Sequence, residues 1–326
     1  MGLPTVIIEF KKRAESLIRR SGNGVVALLF KDSDSPQTVE EFTKIASLGG
    51  PAKVLVETYE DDILAGLGKL QTKRWNYLAA PTVDDTGDVA AIKEWITEQR
   101  GKRKTFKTVL PNCVANNEAV INFTTTDIKV GEKTYTTAEY TARVAGLCAG
   151  TPLDHSVTYL VLPEVESIAE STTPDEDIDA GQFILINDGE KIKVGRGINS
   201  LTTIAGEKTV DMQKIKNVNT MDLIVDDARD MFQDHFTGMA NSFQNKCIFT
   251  SSFNEYLADL AHQGALNREF DNHCELDVDA IAEYLGDISG MSEEQIRQAD
   301  TKNFIFLAGG IRFQDAIEDL KFRIYI

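Results

Sequence analysis

The chain has 326 residues, 42% hydrophobic and 26% charged, enough for two or three domains with cores of their own. Its net charge of −17 argues against a nucleic-acid partner, because a phosphate backbone calls for a basic face. No apolar run approaches the ~20 residues of a membrane helix, and the N-terminus lacks the apolar stretch of a signal peptide. The expectation is a protein with no direct nucleic-acid contact and no membrane insertion.

The first candidate element is Thr5–Phe10 (TVIIEF), where Val6, Ile8 and Phe10 alternate onto one face, the period of a strand. Residues 1–24 carry five bases (Lys11, Lys12, Arg13, Arg19, Arg20) against Glu9 and Glu15. Residues 25–110 then alternate strand and helix patterns. The strands are Val25–Phe30, Lys53–Glu57, Trp75–Ala79 and Thr105–Leu110. Between them, apolar residues fall at helical spacing: Val39, Phe42, Ile45; Ile63, Leu64, Leu67, Leu70; and Val89, Ile92, Trp95, Ile96, with Asp88 as N-cap. That order implies a parallel sheet with helices on its faces.

Residues 111–200 read as β-rich. Strands are expected at Ala119–Thr124, at Ile128–Tyr135 with a turn near Gly131, and at Thr158–Leu162; a helix is expected at Thr137–Cys148. The acidic stretch 164–180, interrupted by Pro174, reads as an exposed loop. Asp188-Gly189 between Gln182–Ile186 and Lys191–Val194 signals a hairpin.

The last third is mainly helical. Val218 to Met239 follows a 3-4 spacing, predicting one long amphipathic helix with His235 on its apolar face. Ser252 and Glu255 form a capping-box pattern opening a second helix, and Ser292 with Gln295 a third. Asn303–Leu307 is a strand candidate, Gly309-Gly310 a turn, and Gln314–Leu320 a helical turn or two. The chain closes on Lys321–Ile326 (KFRIYI), with Phe322, Ile324 and Ile326 on one face and Lys321, Arg323 and Tyr325 on the other. Residues 222–319 carry 20 acids against 6 bases, a strong contrast with the basic N-terminus. Two apolar, strand-patterned ends either pair within their own subunit or complete the sheet of another copy.

Chemistry is scarce. The loop after the first strand (Lys31–Pro36) has no glycine to cradle a phosphate, and Gly146–Gly150 lacks the lysine of a P-loop. Asp277 and Asp279 open like a calcium loop but lack its glycine, and Asp277 reads as a helix cap. Cys113, Cys148, Cys247 and Cys274 form no CxxC pair and read as reduced thiols of a cytoplasmic protein. No nucleophile motif is present. An enzyme is not expected, nor a cofactor, nor a metal. The fold expectation is α/β and α+β: an arm and linker at 1–24, a β-α sheet domain at 25–110, a β-rich segment at 111–200, a mixed C-terminal domain at 201–320, and an arm strand at 321–326. The competing readings are an α/β nucleotide-binding protein or enzyme, and a tube or baseplate subunit of a self-assembling particle.

An ordered set of segments resembles the tail sheath proteins of contractile phages, especially the short sheaths of Gram-positive phages and phage-like bacteriocin particles. The segments are Gly2–Phe10 (GLPTVIIEF), Arg19–Leu28 (RRSGNGVVAL), Val144–Leu153 (VAGLCAGTPL), Ile186–Thr203 (INDGEKIKVGRGINSLTT) and Phe306–Leu320 (FLAGGIRFQDAIEDL). The resemblance implies a structural subunit stacking as hexameric rings around an inner tube, with baseplate and tail terminator as further partners. It implies assembly in the bacterial host cytoplasm and a place in a virion or phage-like tail. It implies strand exchange: Thr5, Val6, Ile7, Ile8, Glu9 and Phe10, and Phe322, Arg323, Ile324, Tyr325 and Ile326, would reach neighbouring subunits. Asn303, Phe304, Ile305, Phe306 and Leu307, with Ile311–Phe313, would receive them. Arg19, Arg20, Gly22 and Gly24 would belong to a flexing linker. Asp315, Glu318 and Asp319 are the candidate tube-facing acids.

Overall fold

The computed structural model describes residues 24–83 and 85–325. The expected N-terminal arm, Arg19, Arg20, Gly22 and Ile326 lie outside the described residues. Two compact units form: 24–223 together with 313–325, and 224–312. Their boundary falls within one helix.

The larger unit is built on a six-stranded parallel sheet in the order β2-β1-β3-β4-β5-β8. Its strands are β1 (Val25–Lys31), β2 (Lys53–Tyr59), β3 (Tyr77–Ala79), β4 (Lys107–Pro111), β5 (Val120–Phe123) and β8 (Gln182–Phe183). β1 pairs with β2 on one edge and β3 on the other, and both its faces are covered by helices. That explains its unbroken apolar run. Val26, Leu28 and Phe30 enter one core with Phe42 and Ile45 of α1 (Pro36–Ser47) and Tyr140 and Val144 of α4 (Thr137–Gly150). Ala27 and Leu29 enter the opposite core with Leu67 and Leu70 of α2 (Ile63–Leu70) and Ile92, Trp95 and Ile96 of α3 (Thr86–Gly101). In that second core Trp75 stacks on Phe106 at 4.0 Å, and its indole N–H donates to Leu70 O at 2.9 Å. Two small antiparallel hairpins, β6 (Ile128–Val130) with β7 (Lys133–Tyr135) and β9 (Leu185–Asn187) with β10 (Ile192–Val194), complete this unit.

Three expectations for this unit change. Asp85, not Asp88, caps α3, accepting from Gly87 N and Asp88 N. Thr158–Leu162 forms no full strand but an isolated bridge, Val161 to Lys193, flanked by three backbone hydrogen bonds to the hairpin at Tyr159, Leu160 and Leu162. The acidic stretch contains a helix, α5 (Pro174–Asp179), with Pro174 at its start. Pro needs no N–H at that position, and the acids that follow suit the positive helix end.

The smaller unit contains the later half of α6 (Ile215–Met231), α7 (Phe243–His262), α8 (Val278–Leu285), α9 (Glu293–Gln298) and an antiparallel pair, β11 (His273–Leu276) with β12 (Leu307–Gly310). The long helix ends at Met231 in a π turn over Phe232–Phe236, leaving His235 exposed. α7 begins ten residues before the Ser252 pattern, capped by Ser242 through Asn245 N. Ser292 and Gln295 do form the expected capping box of α9. The expected strand Asn303–Leu307 begins only at Leu307, and Gly309-Gly310 is strand rather than turn. A Cβ on Gly309 would lie 2.2 Å from His273 O, so the glycine permits close backbone approach. The helical turn expected at Gln314–Leu320 does not form; the segment has no regular secondary structure.

Candidate assembly surface

The C-terminal segment of the larger unit is a strap. Asp315 accepts a 2.8 Å ion pair from Lys214, and the buried Lys216 ammonium donates to Gln314 O. Ser156 Oγ and Thr158 Oγ1 both donate to Glu318 Oε1, at 2.8 and 2.6 Å. Arg196 reaches Asp319 at 2.7 Å. The three acids read as tube-facing are therefore bound within their own unit. Burial disfavours the Asp315 carboxylate, but the Lys214 hydrogen bond and charge, helped by Asn217, hold its pKa below the usual aspartate value. Burial pushes the Lys216 pKa down, against the pull of Asp315 and Asp154.

The lysines that clasp the strap lie just before and in the first turn of α6, and α6 is itself pinned to the sheet. Asp222 of α6 receives Lys107 Nζ of β4 at 2.5 Å and Arg100 Nη1 of α3 at 2.7 Å. Tyr77 OH donates to Asn219 at 2.6 Å. Lys107 and Asp222 are both buried, so each neutralises the other's desolvation. Sequence periodicity offered no sign of this network, because its members are scattered over four elements.

Beyond the strap, Lys321–Tyr325 joins no strand among the described residues and is exposed throughout. Phe322 is 77% exposed, Ile324 70% and Tyr325 83%, values that no settled intramolecular strand would show. Leu320, Phe322 and Ile324 share one parity, and Lys321, Arg323 and Tyr325 the other.

The smaller unit offers an edge. Cys274 of β11 donates its N–H to Asn254 Oδ1 at 2.7 Å and accepts from Asn254 Nδ2 at 3.0 Å. That side chain of α7 closes the outer edge of β11. Bonded and non-bonded pairs alternate in an antiparallel ladder. Cys274 and its partner Gly309 are thus a non-bonded pair, and Leu307 and Gly309 turn their N–H and C=O outward from β12. No described residue pairs with that edge. Behind it lies a small core of Leu276, Ile281 and Ile296, with Phe306 and Leu307 packed on it.

Gly24 is not free chain. Its N–H donates to Ala149 O and its C=O accepts from Ala52 N, so it roots the sheet rather than a flexing linker. The crevice where a doubly wound sheet binds nucleotides lies at the carboxyl ends of β1 and β3. Here Asp34 Oδ2 bridges it, accepting from Thr82 Oγ1 at 2.8 Å and Lys31 N at 2.9 Å, an arrangement hostile to phosphate. No cluster of three metal-ligating side chains occurs among the described residues, and no described helix is long and apolar enough to cross a membrane. Burial pushes the Cys148 thiol up to about 12, leaving it inert.

Residues 58–200 match the family described as phage tail sheath protein central domain. The chain is 35% identical to the tail sheath protein of Clostridium phage phiCD119 across 99% of both chains. In fold it is similar to the sheath tail protein of Desulfitobacterium hafniense (TM-score 0.60, 23% identity, 67% of this chain and 53% of that one). It is also similar to a PVC sheath chain of an extracellular contractile injection system in the contracted state (TM-score 0.65, 12% identity, 100% and 98%). The chain belongs to the phage tail sheath family. It is a tail sheath protein, a structural protein and not an enzyme.

Proposed function

We propose that copies of this chain stack as hexameric rings into a helical sheath around an inner tube, between baseplate and tail terminator, and contract from a metastable extended state to drive the tube through a cell envelope. The supporting observation is a pair of complementary positions with no strand partner among the described residues: an exposed strand-patterned end at Lys321–Tyr325 and the outer edge of β12. A strand given by one copy to the next is a heterologous contact, and such contacts propagate as a helix instead of closing as a dimer. Backbone hydrogen bonds across the joint do not depend on the tilt of the bodies. The bodies can then repack as rigid units while the joints hold. Thr5–Phe10 serves as the second exchanged strand, and the basic residues after it, including Arg19 and Arg20, meet acidic surface of a neighbour. The particle is assembled in the host cytoplasm.

Negative-stain microscopy of the purified chain tests this reading. Wild type forms tubules with a wide lumen, and a chain lacking Phe322–Ile326 stays folded and soluble without polymerising. Tubules from the truncated chain would remove the C-terminal strand from the mechanism.

A further inference from the structure

We infer that the joint between copies is charge-coded: the Lys321/Arg323 face of one copy's terminal strand lies over Ala308 and Gly310 of a second copy and pairs with the acids beyond them. This rests on the strand-exchange reading and adds to it a face, a register period and a set of partners.

Directly opposed residues in an antiparallel pair share a face. Glu275 opposes Ala308, and His273 opposes Gly310. Glu275 and His273 are the outward residues of β11, while Cys274 and Leu276 are buried. One face of the receiving sheet is therefore Glu275, Ala308, His273 and Gly310. The other is Cys274, Leu276, Leu307 and Gly309, which backs onto the small core.

A third strand on the β12 edge lies about 4.8 Å from β12 and about 9.6 Å from β11. Across that gap stand only Ala308 and Gly310, which leave nothing taller than a methyl group between the incoming strand and Glu275 or His273. A lysine or arginine is long enough to cross. Ala308 and Gly310 are two residues apart, and so are Lys321 and Arg323. The two cations thus fall over the two low rows together, in either strand direction.

The Ala308 row ends on the acid Glu275, and the Gly310 row ends on His273, which has the acid Asp271 beside it. Glu275 is more than half exposed, with Arg297 at 3.6 Å as its neighbour from α9. His273 Nδ1 lies 3.3 Å from the exposed Asp271 carboxylate. With Lys321 and Arg323 outward, Leu320, Phe322 and Ile324 turn to the core face beside Leu307. A register slip of one residue would send the cations into that core and Leu320, Phe322 and Ile324 into water, so charge and hydrophobicity select the same face.

The test is charge reversal and re-pairing in the full chain, read by light scattering and microscopy. K321E/R323E raises the critical concentration for assembly roughly tenfold or abolishes assembly, with unchanged circular dichroism. Adding E275K and D271K to that chain restores tubules, whereas E275K/D271K alone does not assemble. If K321E/R323E assembles like wild type, or if the re-paired chain fails while both partial variants are folded, the charge code is wrong. Strand exchange itself is judged separately by the Phe322–Ile326 deletion, whose tubules would remove the reading beneath both.

Discussion

Gly146 and Gly68 are both helical glycines, yet their replacement should act in opposite directions. A Cβ on Gly146 would stand 1.9 Å from Ala46 O, and one on Gly150 would stand 1.8 Å from Gly49 O, because α1 and α4 meet backbone to backbone. Nothing lies within 4 Å of the same position on Gly68 in α2. Gly146→Ala should therefore cost about 2–3 kcal/mol through forced separation of the two helices. Gly68→Ala should gain about 0.5–1 kcal/mol through helix propensity. Urea titration of both variants checks the pair. Asp222 offers a harsher test: Asp222→Ala leaves Lys107 charged and buried, a loss of about 3–5 kcal/mol. Asp222→Ala combined with Lys107→Met should recover much of that loss, since the buried positive charge is removed together with its counter-charge. Equal destabilisation of single and double variants would show that the carboxylate serves packing and not charge.

The strap is the element whose behaviour depends most on pH. A carboxylate whose folded pKa is depressed stabilises the docked state above its unfolded pKa and loses that contribution as pH falls through the folded value. Asp315 has an ordinary value of 3.8 and is held below it by Lys214. The strap should stay docked through mild acid and loosen only below pH 3.8. Limited proteolysis of residues 313–320 against pH checks this, and Asp315→Asn should expose the segment already at neutral pH. None of this was legible in the sequence. The acids at 315, 318 and 319 carry a helix-like spacing, and their true partners, Lys214, Ser156, Thr158 and Arg196, lie 100 or more residues away in the chain. The central sheet was legible because β1 is covered on both faces and α1 to α3 have one-sided apolar stripes. Lys321–Ile326 carries a period-two pattern, yet Lys321–Tyr325 joins no strand among the described residues, because that pattern names a face without naming a partner. The strand expected at Asn303–Leu307 was misplaced by four residues because Gly309 and Gly310 carry a turn signal, while close backbone approach was the actual reason for a glycine at 309. Ser252 misled in the same way: α7 continues through it, and the cap that counts is Ser242.

At the scale of the whole molecule, the uneven charge sets how assembly answers to salt. The charge along the chain is uneven: residues 11–20 and the cations at 321 and 323 are basic, while residues 222–319 are strongly acidic. Attraction between copies therefore works against a general repulsion between bodies of net charge −17. The Debye length falls from about 10 Å at 0.1 M to about 3 Å at 1 M salt. The long-range repulsion is screened first, while close pairs across a joint are screened less. Tubule yield should thus rise from low to moderate ionic strength and fall again at high salt, a maximum and not a monotonic trend. K321E/R323E chains, having lost the close pairs, should show no descending limb. Mixing provides the direct reading of polarity. On the proposed strand exchange, a copy lacking Phe322–Ile326 keeps its β12 edge and so accepts a C-terminal strand but gives none of its own. Added at a small fraction to wild type, it should shorten tubules in proportion to its share, as a one-sided terminator does in a heterologous assembly. Length distributions by microscopy at several mixing ratios measure the effect. Tubules of unchanged length, with the truncated copy absent from the pellet, would mean that giving a strand is a condition for entry and that the β12 edge alone does not recruit.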